Sequence, residues 1–122
     1  MLQITLLGLP DDMAGPISTL LTDGLHQVSR KPLVQDLGTG DWTGVVFISG
    51  DSAEYRENLR YLRESNPGLP VVVATRHPDD RKWLDALEGG AADYCSAPFE
   101  RFQIEWILEG VCPQPALAAG AA

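Results

Sequence analysis

The sequence is poor in cysteine, in positive charge and in long apolar runs. Its two cysteines, Cys95 and Cys112, lie too far apart for a Cys-x-x-Cys pair and have no His or Cys cluster around them, so neither zinc nor redox chemistry is indicated. Nine Lys and Arg stand against 17 Asp and Glu, for a formal net charge of −8. A surface of that sign repels a nucleic-acid backbone, which argues against direct nucleic-acid binding. No apolar run reaches the length of a membrane span, and the N-terminus lacks the basic segment that precedes a signal peptide's apolar core. The expectation is a cytoplasmic protein with reduced thiols and no membrane attachment. Gly38-Thr39-Gly40 is no phosphate loop, because it precedes a strand and lacks the following Lys-Ser/Thr. His26 and His77 stand alone, without a Ser or Cys partner in a recognisable motif, so nucleophilic catalysis is not indicated. No enzyme activity, cofactor or metal is expected.

What is present fits one small domain over residues 1–111, with linker composition from 112 to 122 (Cys-Pro-Gln-Pro-Ala-Leu-Ala-Ala-Gly-Ala-Ala). Short apolar runs alternate with amphipathic ones. Leu2 to Leu7 reads as a first strand and Leu25 to Ser29 as a weaker second one. Between them a helix holds Pro16 in its first turn, turns Ile17, Leu20 and Leu21 inward and stops at Gly24. Pro32 to Leu37 could form a turn or two of helix. Val45-Val46-Phe47-Ile48 and Val71-Val72-Val73-Ala74 are unbroken apolar runs, the pattern of strands buried on both faces of a parallel sheet. Between them, Asp51 as N-cap with Glu54 three residues on predicts a capping box, and Tyr55, Leu59 and Leu62 supply a buried stripe. Arg56, Arg60 and Arg63 share a stripe of that helix but are interleaved with Glu54, Glu57 and Glu64, as on a solvated face. A helix from about Pro78 to Gly89-Gly90 is expected to turn Trp83, Leu84 and Leu87 inward. Asp93 to Ser96 is a fifth strand, and a last helix from Glu100 to Leu108 carries Phe102, Trp106 and Ile107. Strand and helix in alternation predict a three-layer α/β/α doubly wound sheet of five parallel strands, order 2-1-3-4-5, whose functional crevice lies at the C-terminal strand ends.

The stretch Leu69-Pro-Val-Val-Val-Ala-Thr75, followed by Gly89-Gly-Ala-Ala-Asp-Tyr-Cys-Ser-Ala-Pro-Phe99, resembles the C-terminal half of a response-regulator receiver (CheY-like) domain. The resemblance implies the flavodoxin-like fold and a place in two-component signal transduction. It also implies positions. Thr75 aligns with the threonine or serine that ends the fourth strand, Tyr94 with the switch aromatic, and Pro98 and Phe99 with the proline motif. The acidic pair that holds magnesium aligns with Gly8 and Leu9, the phosphoacceptor aspartate with Ser49, and the phosphoryl-gripping lysine with Ala97.

Magnesium needs oxygen ligands that include carboxylates, and phosphoryl transfer needs that cation plus a fixed positive group. Gly8, Leu9, Ser49 and Ala97 provide neither. The reading is therefore a degenerate receiver, independent of phosphorylation, that serves as a protein-interaction or dimerisation module. The family commonly pairs through its last two helices and the strand between them. On this chain that face offers Arg81, Lys82, Tyr94 and Trp106, for a protein partner, an output domain or a second copy. The alternative is a phosphorylatable regulator that uses displaced carboxylates, Asp51 with Asp11 and Asp12, although early-turn placement and the capping box also account for them. A small flavodoxin-like enzyme or ligand binder is disfavoured by the missing phosphate loop.

Overall fold

A computed structural model describes residues 3–33, 44–77 and 79–111. In chain order the elements are β1 (Gln3–Leu7), α1 (Asp11–Asp23), β2 (Gln27–Lys31), β3 (Val45–Ser49), α2 (Tyr55–Ser65), β4 (Val71–Thr75), α3 (Asp80–Glu88), β5 (Asp93–Ser96) and α4 (Arg101–Val111). All five strands pair in parallel in the order β2-β1-β3-β4-β5, as the sequence pattern predicts. Every residue of β3 and β4 is buried. That follows from their unbroken apolar runs, which suit strands covered on both faces.

The two faces carry separate apolar clusters. Ile4, Leu6, Val45, Phe47, Val72 and Cys95 point to one side and meet Met13, Ile17 and Leu21 of α1 with Ile104, Ile107 and Leu108 of α4. Leu7, Val46, Ile48, Val71 and Val73 point to the other and meet Tyr55, Leu59 and Leu62 of α2 with Ala86 of α3. The period-2 alternation of strand side chains makes this division. β1 borders both β2 and β3, so the chain reverses its direction of travel there. The C-terminal ends of β1 and β3 accordingly flank the crevice where such sheets place their chemistry.

Several local expectations change. Pro16 lies within α1, beyond its first turn, because that helix starts at Asp11. The proline is exposed near the solvated N-terminal end of the helix, where a lost backbone hydrogen bond is cheapest. α1 does end at Gly24, but the left-handed residue of its C-terminal turn is Leu25, at φ 67°. The Leu25 N–H donates to the Thr22 carbonyl and the His26 N–H to the Leu21 carbonyl, which completes a Schellman motif and delays β2 to Gln27. The same motif closes α3 with Gly90 in the left-handed position. The turn of helix expected from Pro32 to Leu37 falls largely among residues 34–43, and the linker at 112–122; both lie outside the described residues.

The largest correction concerns Trp83, Leu84 and Leu87, expected to face inward. Trp83, Leu84, Leu87, Phe102 and Trp106 are exposed. α3 buries Ala86 alone, so its bulky residues fall on the outward arc. On α4 the inward stripe is Ile104, Ile107 and Leu108, at i, i+3 and i+4, and this rotation puts Phe102 and Trp106 on the opposite side. No helix among the described residues is long and apolar enough to cross a membrane.

Candidate functional site

The crevice collects the segments that follow β1, β3 and β4. Gly8 leaves β1 in a left-handed conformation and donates its N–H to the Lys31 carbonyl, while Leu9 turns inward and is buried. Ser49 ends β3 and Thr75 ends β4, both buried. After Ser49 the chain crosses the end of β4 through Gly50, whose N–H donates to the Ala74 carbonyl. A Cβ on Gly50 would lie 2.8 Å from Val73 Cγ1, so glycine permits that close crossing. Ala97 follows β5, and its N–H donates to the Thr75 carbonyl over 2.9 Å. The structure therefore brings Ser49, Thr75 and Ala97 to one end of the sheet, beside Gly8 and Leu9.

The crossing delivers Asp51 to the centre of the crevice. Its carboxylate accepts from the Thr75 hydroxyl, from the Arg76 N–H over 2.8 Å and from Lys82 Nζ over 3.1 Å. Its own N–H donates to Ser49 Oγ. Asp51 is consequently not the N-cap of the next helix: α2 starts at Tyr55 after Glu54, with no side-chain cap. The Ser52 hydroxyl instead donates to Glu54 Oε2 and accepts the Glu54 N–H. Three donors outweigh a cap, which would supply one or two backbone N–H groups.

Arg76 joins this centre to α1. Its guanidinium donates to both Asp12 carboxylate oxygens, over 2.5 and 2.8 Å, and stands 3.8 Å from Asp51 Oδ2. Asp11, the neighbour of Asp12, turns away to Arg30 on β2. The two carboxylates considered as a shifted acidic pair thus separate, and only Asp12 faces the crevice. Burial by itself would raise the Asp51 pKa, but the Thr75 hydroxyl, the Arg76 N–H and Lys82 together hold it below the ordinary carboxylate value. Asp12 is also held low, chiefly by its hydrogen bonds from Arg76.

Tyr94 on β5 is partly buried, with its hydroxyl shielded beside the Asp79 backbone, and that burial raises its pKa. Lys82, expected on the outer face with Arg81, reaches inward from the first turn of α3 to Asp51, whereas Arg81 stays exposed. Arg76 is the residue that sequence reasoning passed over. It directly follows the last residue of a central strand, and that position alone marks it as crevice-lining. His26 bonds Glu105 over 3.2 Å, away from the site.

Taken together, the crevice holds two carboxylates and two cations in mutual contact. These residues do not fit a divalent metal ion. Magnesium would need open carboxylate oxygens, yet Arg76 occupies both oxygens of Asp12, and hydrogen bonds engage both oxygens of Asp51. Among the described residues, no group of three or more His, Cys, Asp or Glu side chains is placed to hold a metal.

Comparison with known proteins places this architecture. No established family profile matches the sequence. The chain is 39% identical over 61 residues to the C4-dicarboxylate transport transcriptional regulatory protein DctD of Pseudomonas aeruginosa, a match over 48% of this chain. It is 34% identical over 83 residues, 66% of this chain, to the KDP operon transcriptional regulatory protein KdpE of Escherichia coli. Among solved structures, a response regulator receiver domain protein from Clostridium thermocellum superposes with a TM-score of 0.80. It is 16% identical, and the match covers 97% of this chain and 99% of that one. The chain has the fold of response-regulator receiver domains, and its sequence is similar to parts of two response regulators. It covers only 13% of the length of DctD and 32% of KdpE, so it corresponds to one part of those larger regulators. The acidic and basic groups of the crevice come from Asp12, Asp51, Arg76 and Lys82, while Gly8, Leu9, Ser49 and Ala97 lie at the same strand ends without charge.

Proposed function

We propose that this receiver domain works without phosphorylation, as a non-enzymatic interaction module in signal transduction. The observation that carries the reading is the closed charge cluster. The Arg76 guanidinium lies between Asp12 and Asp51, and Lys82 contacts Asp51 from the other side, so each carboxylate already has its counterion. An incoming metal would have to break a bidentate Arg–carboxylate pair, and an incoming phosphoryl group would meet Asp51 beneath its own donors. With no charge change to await, the face made by α3, β5 and α4 is competent as it stands. Exposed Arg81, Trp83, Leu84, Phe102 and Trp106 lie along it, with Tyr94 at its centre. Its partner is another protein or an output domain, and nucleic acid is not a direct ligand of so acidic a domain.

A second reading takes Asp51 as a displaced phosphoacceptor, since Thr75 and Lys82 touch the same carboxylate. One experiment separates the two. Millimolar Mg²⁺ with beryllofluoride or acetyl phosphate should leave tryptophan fluorescence and the amide spectrum unchanged. A saturable shift of the Ser49, Asp51 and Thr75 amides, with a phosphoryl adduct in the intact mass that disappears in Asp51→Asn, would overturn the phosphorylation-independent reading in favour of the displaced acceptor.

A further inference from the structure

α4 carries the densest exposed aromatic surface among the described residues. Phe102 is 79% and Trp106 69% exposed, although each is a residue type that ordinarily finds cover. They sit one turn apart with ring centroids 6.4 Å apart and planes at 86°, an edge-to-face pair that presents both rings to solvent. A groove runs along each side of this ridge. One, of about 640 Å³, is lined by Phe102, Trp106, Glu105 and Glu109 with Arg101 at its end. The other, of about 450 Å³, runs toward β5 between Phe102, Trp106 and Ile107 on one side and Asp93, Tyr94 and Glu100 on the other.

The charge around this ridge has one sign. Asp93, Glu100, Glu105 and Glu109 border the two grooves, and the single cation there, Arg101, donates to the Asp23 carbonyl. Across the sheet edge, α3 offers little compensation, because Lys82 is committed to Asp51 and Arg81 is left among Asp79, Asp80 and Asp85. A second copy docked by a two-fold axis on this ridge would bring acidic rim against acidic rim, and like charges across an interface oppose association.

We infer that the α4 ridge binds a cationic amphipathic helix of another protein. Such a helix would lay its leucine-type side chains into the two grooves beside Phe102 and Trp106. Its Lys or Arg residues would meet Glu100, Glu105 and Glu109, and could stack on the indole face. This rests on the reading of the α3–β5–α4 face as a partner surface and specifies the chemistry of what it takes.

The test is titration of the ¹⁵N-labelled full chain with a synthetic amphipathic helix of Leu and Lys, and with its Leu and Glu counterpart, each with and without Mg²⁺ and acetyl phosphate. The Leu/Lys peptide should shift the Trp106 indole N–H and the α4 amides saturably, and more weakly as salt is raised. The Leu/Glu peptide should not. Trp106→Ala should weaken binding by about tenfold or more, Glu109→Lys by a few-fold, and both should melt as the parent does, since each side chain is exposed. Equal binding of the two peptides, or binding that maps elsewhere and ignores Trp106→Ala, would overturn the inference. So would concentration-dependent self-association lost in Trp106→Ala, which would assign the ridge to a second copy, or a Trp106 indole already shielded in the dilute free chain, which would assign it to residues 112–122. In the self-association case the interaction-module reading survives while the cationic partner does not. If instead Leu/Lys binding requires phosphodonor, the cationic partner stands and phosphorylation independence fails.

Discussion

Asp51→Ala tests the crevice most directly. In the parent, Asp51 accepts from the buried Thr75 hydroxyl, the Arg76 N–H and Lys82 Nζ. After truncation the Thr75 hydroxyl can still turn toward the His77 carbonyl, 3.4 Å away, and Lys82, about a third exposed, can reach water. The backbone N–H of Arg76 has no such substitute. Leaving one donor unsatisfied costs about 1–3 kcal/mol, and loss of the two charge-assisted bonds adds to it, offset in part by the desolvation penalty that Asp51 no longer carries. A net loss of about 2–3 kcal/mol follows. For a chain of 122 residues, whose unfolding entropy is roughly 0.26 kcal/mol per kelvin, this lowers the melting temperature by about 8–12 °C. The pH dependence has a defined sign. The folded-state pKa of Asp51 lies below its ordinary value of 3.8, so its contribution is fully present above the unfolded carboxylate range and disappears as pH falls through the folded pKa. Urea midpoints of parent and variant should therefore differ by a constant amount from about pH 8 to about pH 5 and converge below about pH 4. A difference under about 1 kcal/mol at neutral pH, or one that persists undiminished in acid, would refute the three-donor account of Asp51.

Arg76→Ala should leave Asp12 and Asp51 facing each other without their shared cation. Millimolar Mg²⁺ is then expected to raise the variant's melting temperature while leaving the parent's unchanged, and absence of any difference between the two would show that Arg76 is not what closes the site. Phe47→Ala, at a fully buried position on the central strand β3, should cost about 3–5 kcal/mol, and a variant melting within a few degrees of the parent would contradict its place in the core. Leu25→Gly should stabilise by roughly 0.5–1 kcal/mol in urea titration, because an exposed leucine holds a left-handed position that Gly90 fills in the equivalent turn of α3; a loss of stability would mean that Leu25 gains something from its contacts that the strain does not outweigh.

What could be read from the sequence was set by local or nearly local physics. β3 and β4 announce themselves by apolar runs without alternation, and such runs have few alternatives to a strand covered on both faces. β5, short and mixed in composition, was placed by the glycine pair that ends α3 and by the resemblance of Asp93–Phe99 to a known motif. The rotations of α3 and α4 were not legible in the same way. Each helix carries bulky apolar residues on more than one arc, and only the sheet selects which arc is covered. It selected the small Ala86 on α3 and the aliphatic Ile104, Ile107 and Leu108 on α4, which left three of the largest aromatic side chains outside.

Asp51 shows why the chemistry of the site was harder to read than its location. Locally it satisfies a capping-box pattern with Glu54, and nothing within a few residues contradicts that. Its actual partners lie 24, 25 and 31 residues away, and they prevail because charge-assisted bonds in a half-buried crevice are stronger than a solvated cap. The same distance hid the pattern as a whole. The sequence resemblance implies Gly8, Leu9, Ser49 and Ala97 at the positions where receivers carry charge, so from sequence alone the site reads as emptied of charge. In space the charges return on neighbouring residues, with Asp12 in the first turn of α1, Asp51 beyond Gly50, Arg76 beside Thr75 and Lys82 in the first turn of α3. They return as two anions and two cations, so the cluster has no formal charge left over to attract a metal or a phosphoryl group. A site that recruits ligands through uncompensated charge and one that has compensated it internally can have nearly the same composition. Contact geometry, above all the bidentate grip of Arg76 on Asp12, distinguishes them.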